Sequence, residues 1–293
     1  MKKLAMWVDL PYQEDRIFDE ASPGNRDDCL APFRAIKATL EADGWECHTH
    51  DVFRSSGASP DVVLFFDIPR LPVNILLGAW KGKSRAWVIL QECEVIKPGN
   101  WREENHKQFE KIFTWDKRLV DLKKYVRLDF ANNFRVPPAS PGFAARNFCV
   151  MIAGNKSRSH PLELYSERVR AIRWFETNHP GDFDLYGTGW DRRCFSGPLR
   201  LFNRIGPLTK LLAPRYPSYR GTIASKQPVL ERYKFSICYE NAREIPGYIT
   251  EKIFDCFFAG VIPVYWGAPD ISESVPEKCF VDRRDFQVLR RTL

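Results

Sequence analysis

The sequence predicts an α/β protein of two lobes, each built on a parallel sheet covered by helices. Three observations carry this expectation. Short apolar runs alternate with polar loops and amphipathic stretches along the whole chain. Several runs, such as Val62-Val63-Leu64-Phe65-Phe66, are continuously apolar, as expected of strands buried on both faces. The rhythm breaks between Asn132 and Gly142, where Pro137, Pro138 and Pro141 disfavour helix and central strand alike, and then restarts. Residues 1–135 are therefore expected to form the first lobe, 136–146 a Pro-rich linker, and 147–293 the second lobe.

In order along the chain, residues 4–10 read as a strand. Asn25 is placed to cap a helix whose apolar positions Leu30, Phe33, Ile36 and Leu40 keep helical spacing, with Gly44 as its stop. Residues 45–52, 61–67 and 86–91 read as further strands. In the second lobe the strands are 147–153, 183–187, 233–240, 261–266 and 280–282. Ser159 and Pro161 open a helix carrying Leu162, Tyr165, Val169, Ile172 and Phe175 on one face, and a second helix runs from about 250 to 259.

Composition sets the outer limits. The chain has 293 residues, 44% of them hydrophobic, ample for a sizeable core. Its 44 Lys and Arg outnumber 37 Asp and Glu, a net charge of +7 that leans towards phosphates, nucleic acid or an anionic membrane without choosing among them. No apolar stretch approaches the ~18–20 residues of a membrane span. The N-terminus meets Asp9 before an adequate apolar core forms, so a secretory signal is not expected. Eight cysteines are scattered without a C-x-x-C pair, which favours free buried thiols and a cytoplasmic location over a disulfide framework or zinc site.

The most informative stretch starts at Tyr233-Lys234-Phe235-Ser236-Ile237-Cys238-Tyr239-Glu240-Asn241. It reads as a buried strand ending in an acid and an amide. A short loop follows, then a helix amino end bearing Tyr248, Thr250, Glu251 and Lys252. Gly260 stops that helix, and a second buried strand delivers the loop Gly267-Ala268-Pro269. Ligands in open α/β sheets bind beyond the carboxyl ends of the strands, where Glu240, Asn241 and Gly267 fall. The positive end of the helix suits an anion, and Lys252 adds a full charge there. That lysine opposes the helix dipole by roughly 0.3–1 kcal/mol, a placement that a bound phosphate justifies. For Thr250 and Glu251 alone, the competing reading is a helix cap and a first-turn acid.

These residues resemble the signature of glycosyltransferase family 10, the α-1,3/1,4-fucosyltransferases. The match runs through Tyr233-Lys234-Phe235, Tyr239-Glu240-Asn241, Tyr248-Ile249-Thr250-Glu251-Lys252, Ile262-Pro263-Val264 and Gly267-Ala268-Pro269, with Tyr239 in place of the usual Phe. It covers roughly residues 219–286; the first half of the chain is only weakly similar. The resemblance implies a GT-B-like architecture, two Rossmann-like lobes with parallel sheets facing a central cleft. It also implies GDP-fucose as donor on the second lobe, a glycan acceptor on the first, and inversion at the anomeric carbon. It assigns donor contacts to Glu240, Asn241, Tyr248, Thr250, Glu251 and Lys252, to the basic residues Arg220 and Lys226, and to Asn155. Gly154 stands where the family has a serine before that asparagine. For the general base it points to the turn Gln91-Glu92-Cys93-Glu94, with Glu94 the better match and Glu92 the alternative. No cofactor or essential divalent metal is implied.

Other signals are set aside. Asp182-Phe183-Asp184 has the D-x-D spacing of a metal-held sugar nucleotide, but it opens a strand. No G-x-G-x-x-G follows the first strand, and no motif supports nucleic acid as partner. His48 and His50 are expected to share a solvated strand face. Residues 199–220 interleave basic with apolar side chains, which suits a surface helix packed on the second lobe or peripheral contact with an anionic membrane at its inner face. The chain stops just after its last recognisable strand, which suggests a short or truncated relative. From another functional class, a non-catalytic sugar-nucleotide or glycan-binding relative remains the alternative to the enzyme.

Overall fold

The computed structural model describes residues 1–134, 136–137, 142–195 and 197–286, without the side chains of 197, 198 and 200. The chain divides into two units, Met1–Asn133 and Phe134–Leu293. Part of the expected linker, residues 138–141, lies outside the described residues.

In the first unit the apolar runs become β1 (Lys2–Trp7), β2 (Trp45–Thr49), β3 (Val62–Phe66), β4 (Arg85–Leu90), β5 (Lys111–Thr114) and β6 (Tyr125–Arg127). Between them lie α1 (Ala31–Ala42), α2 (His50–Ser55), α3 (Val73–Leu77) and α4 (Glu103–His106). The sheet order is β2-β1-β3-β4-β5-β6, every pair parallel. Alternate residues of the central strands pack into opposite layers: Ala5, Val63 and Phe65 on one face, Leu4, Met6, Val62 and Leu64 on the other. Both faces being covered explains why these strands read as continuous apolar runs.

Three local differences from the sequence expectation have physical causes. β1 ends at Trp7, because Pro11 lacks the N–H a ladder needs and residues 10–12 close a 3-10 turn instead. β2 ends at Thr49, whose N–H donates to the Asp15 carboxylate (2.7 Å), and the chain turns into α2. His48 meets the same carboxylate (2.6 Å), whereas His50 is buried and stacks on Trp7 at 4.1 Å, so the two do not share a solvated face. Asn25 does not cap α1: Asp27 and Asp28 turn left-handed, and the Asn25 carboxamide oxygen accepts from the Leu30 N–H ahead of the helix.

The second unit contains β7 (Asn147–Ile152), α5 (Tyr165–Asn178), β8 (Phe183–Tyr186), α6 (Gly206–Leu211), α7 (Gln227–Leu230), β9 (Tyr233–Tyr239), α8 (Glu251–Phe258), β10 (Ile262–Trp266) and β11 (Val281–Asp282). Its parallel sheet runs β11-β10-β9-β7-β8. One face packs Val150 and Tyr265 with Ile253 and Cys256 of α8; the other packs Leu185, Ile237 and Trp266 with Ile172 of α5. The expected single amphipathic segment over 199–220 is instead a 3-10 stretch, Gly197–Arg204, broken at Ile205 before α6 opens on Gly206-Pro207. Among the described residues no helix is long and apolar enough to cross a membrane.

Gly187, after β8, has φ +131°, and a Cβ there would lie 2.0 Å from the Ala153 carbonyl oxygen. Gly187→Ala adds overlap with backbone to a strain of about 1–3 kcal/mol. The variant is expected to lower the urea midpoint of the second unit clearly; an unchanged midpoint would show that β7 and β8 can part here.

Candidate active site

In the second unit the carboxyl ends of β9 and β10 meet the amino end of α8. The β9 strand stays extended through Tyr239 because both its faces are buried, and this carries Glu240 to the rim of the sheet. Glu240 is fully buried. Its carboxylate accepts from the Thr250 N–H (2.8 Å) and the Thr250 hydroxyl (2.8 Å), and the Lys252 ammonium lies 3.2 Å away. Lys252 also donates to Thr250 Oγ1 (2.8 Å). Thr250 therefore occupies the N-cap position without a side-chain cap bond, since its hydroxyl is given to Glu240. Gly267 closes the pocket from β10: a Cβ there would lie 2.5 Å from Glu240 Cγ.

Two lysines face this helix end. Lys226, just before α7, pairs with Asp255 (2.6 Å) and Glu251 (3.6 Å). Burial disfavours the charged form of Lys252, but Glu240 and Glu251 outweigh it and hold the ammonium above its ordinary range. Burial likewise works upward on Glu251, but Lys252 and Lys226 outweigh it and bring its carboxyl down to about 2. A depressed carboxylate contributes stability above its ordinary value of about 4.3, and that contribution is lost as pH falls towards the folded value. Glu251→Gln is expected to give a shallower loss of stability between about pH 4.5 and 2, modest because half the side chain faces solvent. Urea midpoints measured across that range check it; identical acid limbs for variant and parent would contradict it.

The other expected donor residues separate into two groups. Tyr248 is buried, and its hydroxyl accepts from Asn241 Nδ2 (3.3 Å), so both join the Glu240 rim. Asn155, after β7, donates to the carbonyls of Gly189 (2.9 Å) and Arg192 (3.3 Å) and braces the loop beyond β8. Arg220 is half-exposed and its guanidinium is held by Asp184 (2.5 Å), whose other oxygen accepts from the Tyr233 hydroxyl (2.7 Å). Asp184 and Tyr233 belong to the amino-end halves of β8 and β9, so Arg220 is engaged away from the rim. The second aspartate of the D-x-D is thus committed to an arginine and a tyrosine, and among the described residues no cluster of three His, Cys, Asp or Glu is placed for a metal.

One residue at this rim escaped the sequence reading. Arg168 on α5 is buried, and its Nη2 donates to the Tyr239 carbonyl (2.7 Å), the Glu240 carbonyl (2.8 Å) and Asn241 Oδ1 (3.2 Å). Burial lowers its pKa, with Tyr165 and Glu240 opposing. The available signal was a charge between Tyr165 and Ile172 on the apolar face of a helix.

In the first unit the expected base turn follows β4. Glu92 and Glu94 are half-buried, alternating with buried Cys93 and Val95. Asp67, at the carboxyl end of β3 with φ +61°, accepts from the N–H groups of Gln91 (2.6 Å) and Glu92 (3.0 Å) and from Asn100 Nδ2 (2.7 Å). Asn100 Nδ2 and the Trp101 indole N–H both donate to the Glu92 carbonyl (3.0 and 3.1 Å). Arg118 sits close enough for Glu94 to help raise its pKa, after the larger effect of its bond to Asp116. The glutamates are thus held at a strand end on a braced turn, with a cation nearby.

Residues 213–292 match the model described as glycosyltransferase family 10 (fucosyltransferase) C-term. A 65-residue stretch is 42% identical to alpha-(1,3)-fucosyltransferase FucT of Helicobacter pylori, covering 22% of this chain and 13% of that protein. Among solved structures, a crystal structure of alpha1,3-fucosyltransferase superposes with a TM-score of 0.58 at 16% identity, over 98% of this chain and 75% of that one. The same enzyme type solved with GDP-fucose gives 0.51, also at 16% identity, over 98% and 75%. At that identity the likeness concerns the fold, a GT-B-like pair of parallel-sheet α/β units. Residues 213–292 are thus similar to the C-terminal part of glycosyltransferase family 10, the fucosyltransferases.

Proposed function

We propose that the chain is an inverting glycosyltransferase that moves L-fucose from GDP-fucose to a hydroxyl of a glycan acceptor, such as a surface polysaccharide or lipopolysaccharide. The carrying observation is the Glu240–Thr250–Lys252 clamp, which fixes a lysine at the amino end of α8 on the ligand-binding edge of the sheet. The family match over 213–292 supports the same reading, as does the fold's likeness to a fucosyltransferase solved with GDP-fucose.

In this reaction the Glu94 carboxylate takes the proton of the acceptor hydroxyl. The freed oxygen bonds to the anomeric carbon from the face opposite the diphosphate, the bond to the diphosphate oxygen breaks, and GDP leaves with the electron pair. Lys252, Lys226 and the positive end of α8 offset the charge on the departing diphosphate. These protein cations do that work without calling on a divalent ion. All eight cysteines are free, in keeping with catalysis on the cytoplasmic side of the membrane. The test is a panel of GDP-sugars, reading GDP release with and without glycan acceptors. Acceptor-stimulated release from GDP-fucose is expected. Tight GDP binding without release from any donor would make the chain a binding protein instead.

A further inference from the structure

The charge of the chain is concentrated in one place. Residues 192–230 hold eight Lys and Arg and no Asp or Glu, so the rest of the molecule, despite a total of +7, is close to neutral. In the same stretch six large apolar side chains stand exposed: Leu199 (53%), Leu201 (71%), Phe202 (41%), Ile205 (46%), Leu211 (82%) and Leu212 (48%). Arg192, Arg193, Arg204 and Lys210, also exposed, are interleaved with them. The segment is internally tied: the Asn203 carboxamide bonds both the N–H (2.8 Å) and the carbonyl (2.9 Å) of Phe195, and the Arg193 N–H donates to the Thr209 carbonyl. It is a shaped surface that leaves its apolar groups in water.

We infer that the exposed apolar and basic side chains of residues 192–193, 199 and 201–212 dock on an anionic lipid bilayer. Exposed leucine, isoleucine and phenylalanine among cations match an interface where headgroup charge lies beside acyl chain. A polyanion such as nucleic acid would use the cations and leave the apolar groups wet. A second copy would bring the same positive surface and repel. Docking here places the second unit at a membrane independently of what nucleotide it holds, so lipid binding is read with no donor present.

The experiment is co-sedimentation with vesicles of phosphatidylcholine alone or mixed with phosphatidylglycerol, using the full chain and a Leu201→Ser/Leu211→Ser variant. Both leucines are exposed, and the substitutions leave the charge unchanged; equal thermal melting confirms that the fold is intact. Binding to mixed vesicles, little to neutral ones, and a loss of about tenfold or more in the serine variant is the expected result. The proposal is overturned if the parent ignores anionic vesicles or if the variant binds as well as the parent. A parent dimer that the variant dissolves would overturn it too.

Discussion

Lys252→Ala is expected to lose about 3–5 kcal/mol of folding stability, because it strips the partner from a carboxylate with no access to water. Glu240 would keep its bonds from Thr250 but lose the ammonium 3.2 Å away. The same variant is expected to lose most of its affinity for GDP, since the charge-assisted phosphate contact proposed for Lys252 goes with it. The two effects come apart in Lys252→Ala/Glu240→Gln. Neutralising the carboxylate should return much of the stability, read by urea unfolding, while GDP affinity, read by calorimetry, stays low. A single variant as stable as the parent would mean that the buried pair is not holding the rim. A double variant that recovers GDP affinity would remove Lys252 from the donor contacts.

Glu94→Gln should leave GDP affinity intact and lower acceptor-dependent turnover by about 10²–10⁴-fold, the usual effect of deleting a general base. Glutamine keeps the size and the braced turn, so loss of proton transfer is isolated from loss of structure. Glu92→Gln is the matched control, because it changes the neighbouring acid while keeping the peptide carbonyl and N–H that bond to Asp67, Asn100 and Trp101. Full turnover in Glu94→Gln together with collapse in Glu92→Gln would transfer the role to the neighbouring acid.

Much of this was legible in the chain, for identifiable reasons. Continuous apolar runs announced β3 and β10 because burial on both sheet faces leaves no polar alternation to confuse them. The Glu240–Lys252 rim was legible because its members lie within thirteen positions of sequence. β5 and β6 escaped because strands of four and three residues carry too little periodicity. Arg168 and Asp67 escaped for another reason: each acts on a partner far along the chain, Arg168 on β9 and Asp67 on the turn after β4, and only the folded sheet brings them there. Arg220 is alike. Its place in the sequence says nothing of its partner, the Asp184 carboxylate 36 positions earlier.

The turn carrying Glu92 and Glu94 is moored at both ends to one carboxylate on a neighbouring strand, through residues 91 and 92 on one side and Asn100 on the other. Between the moorings the Ile96 and Lys97 N–H groups donate back to the Cys93 carbonyl, and Cys93 and Val95 are buried. Loss of the Asp67 carboxylate would therefore free both ends of the turn at once, and set the two glutamates adrift together.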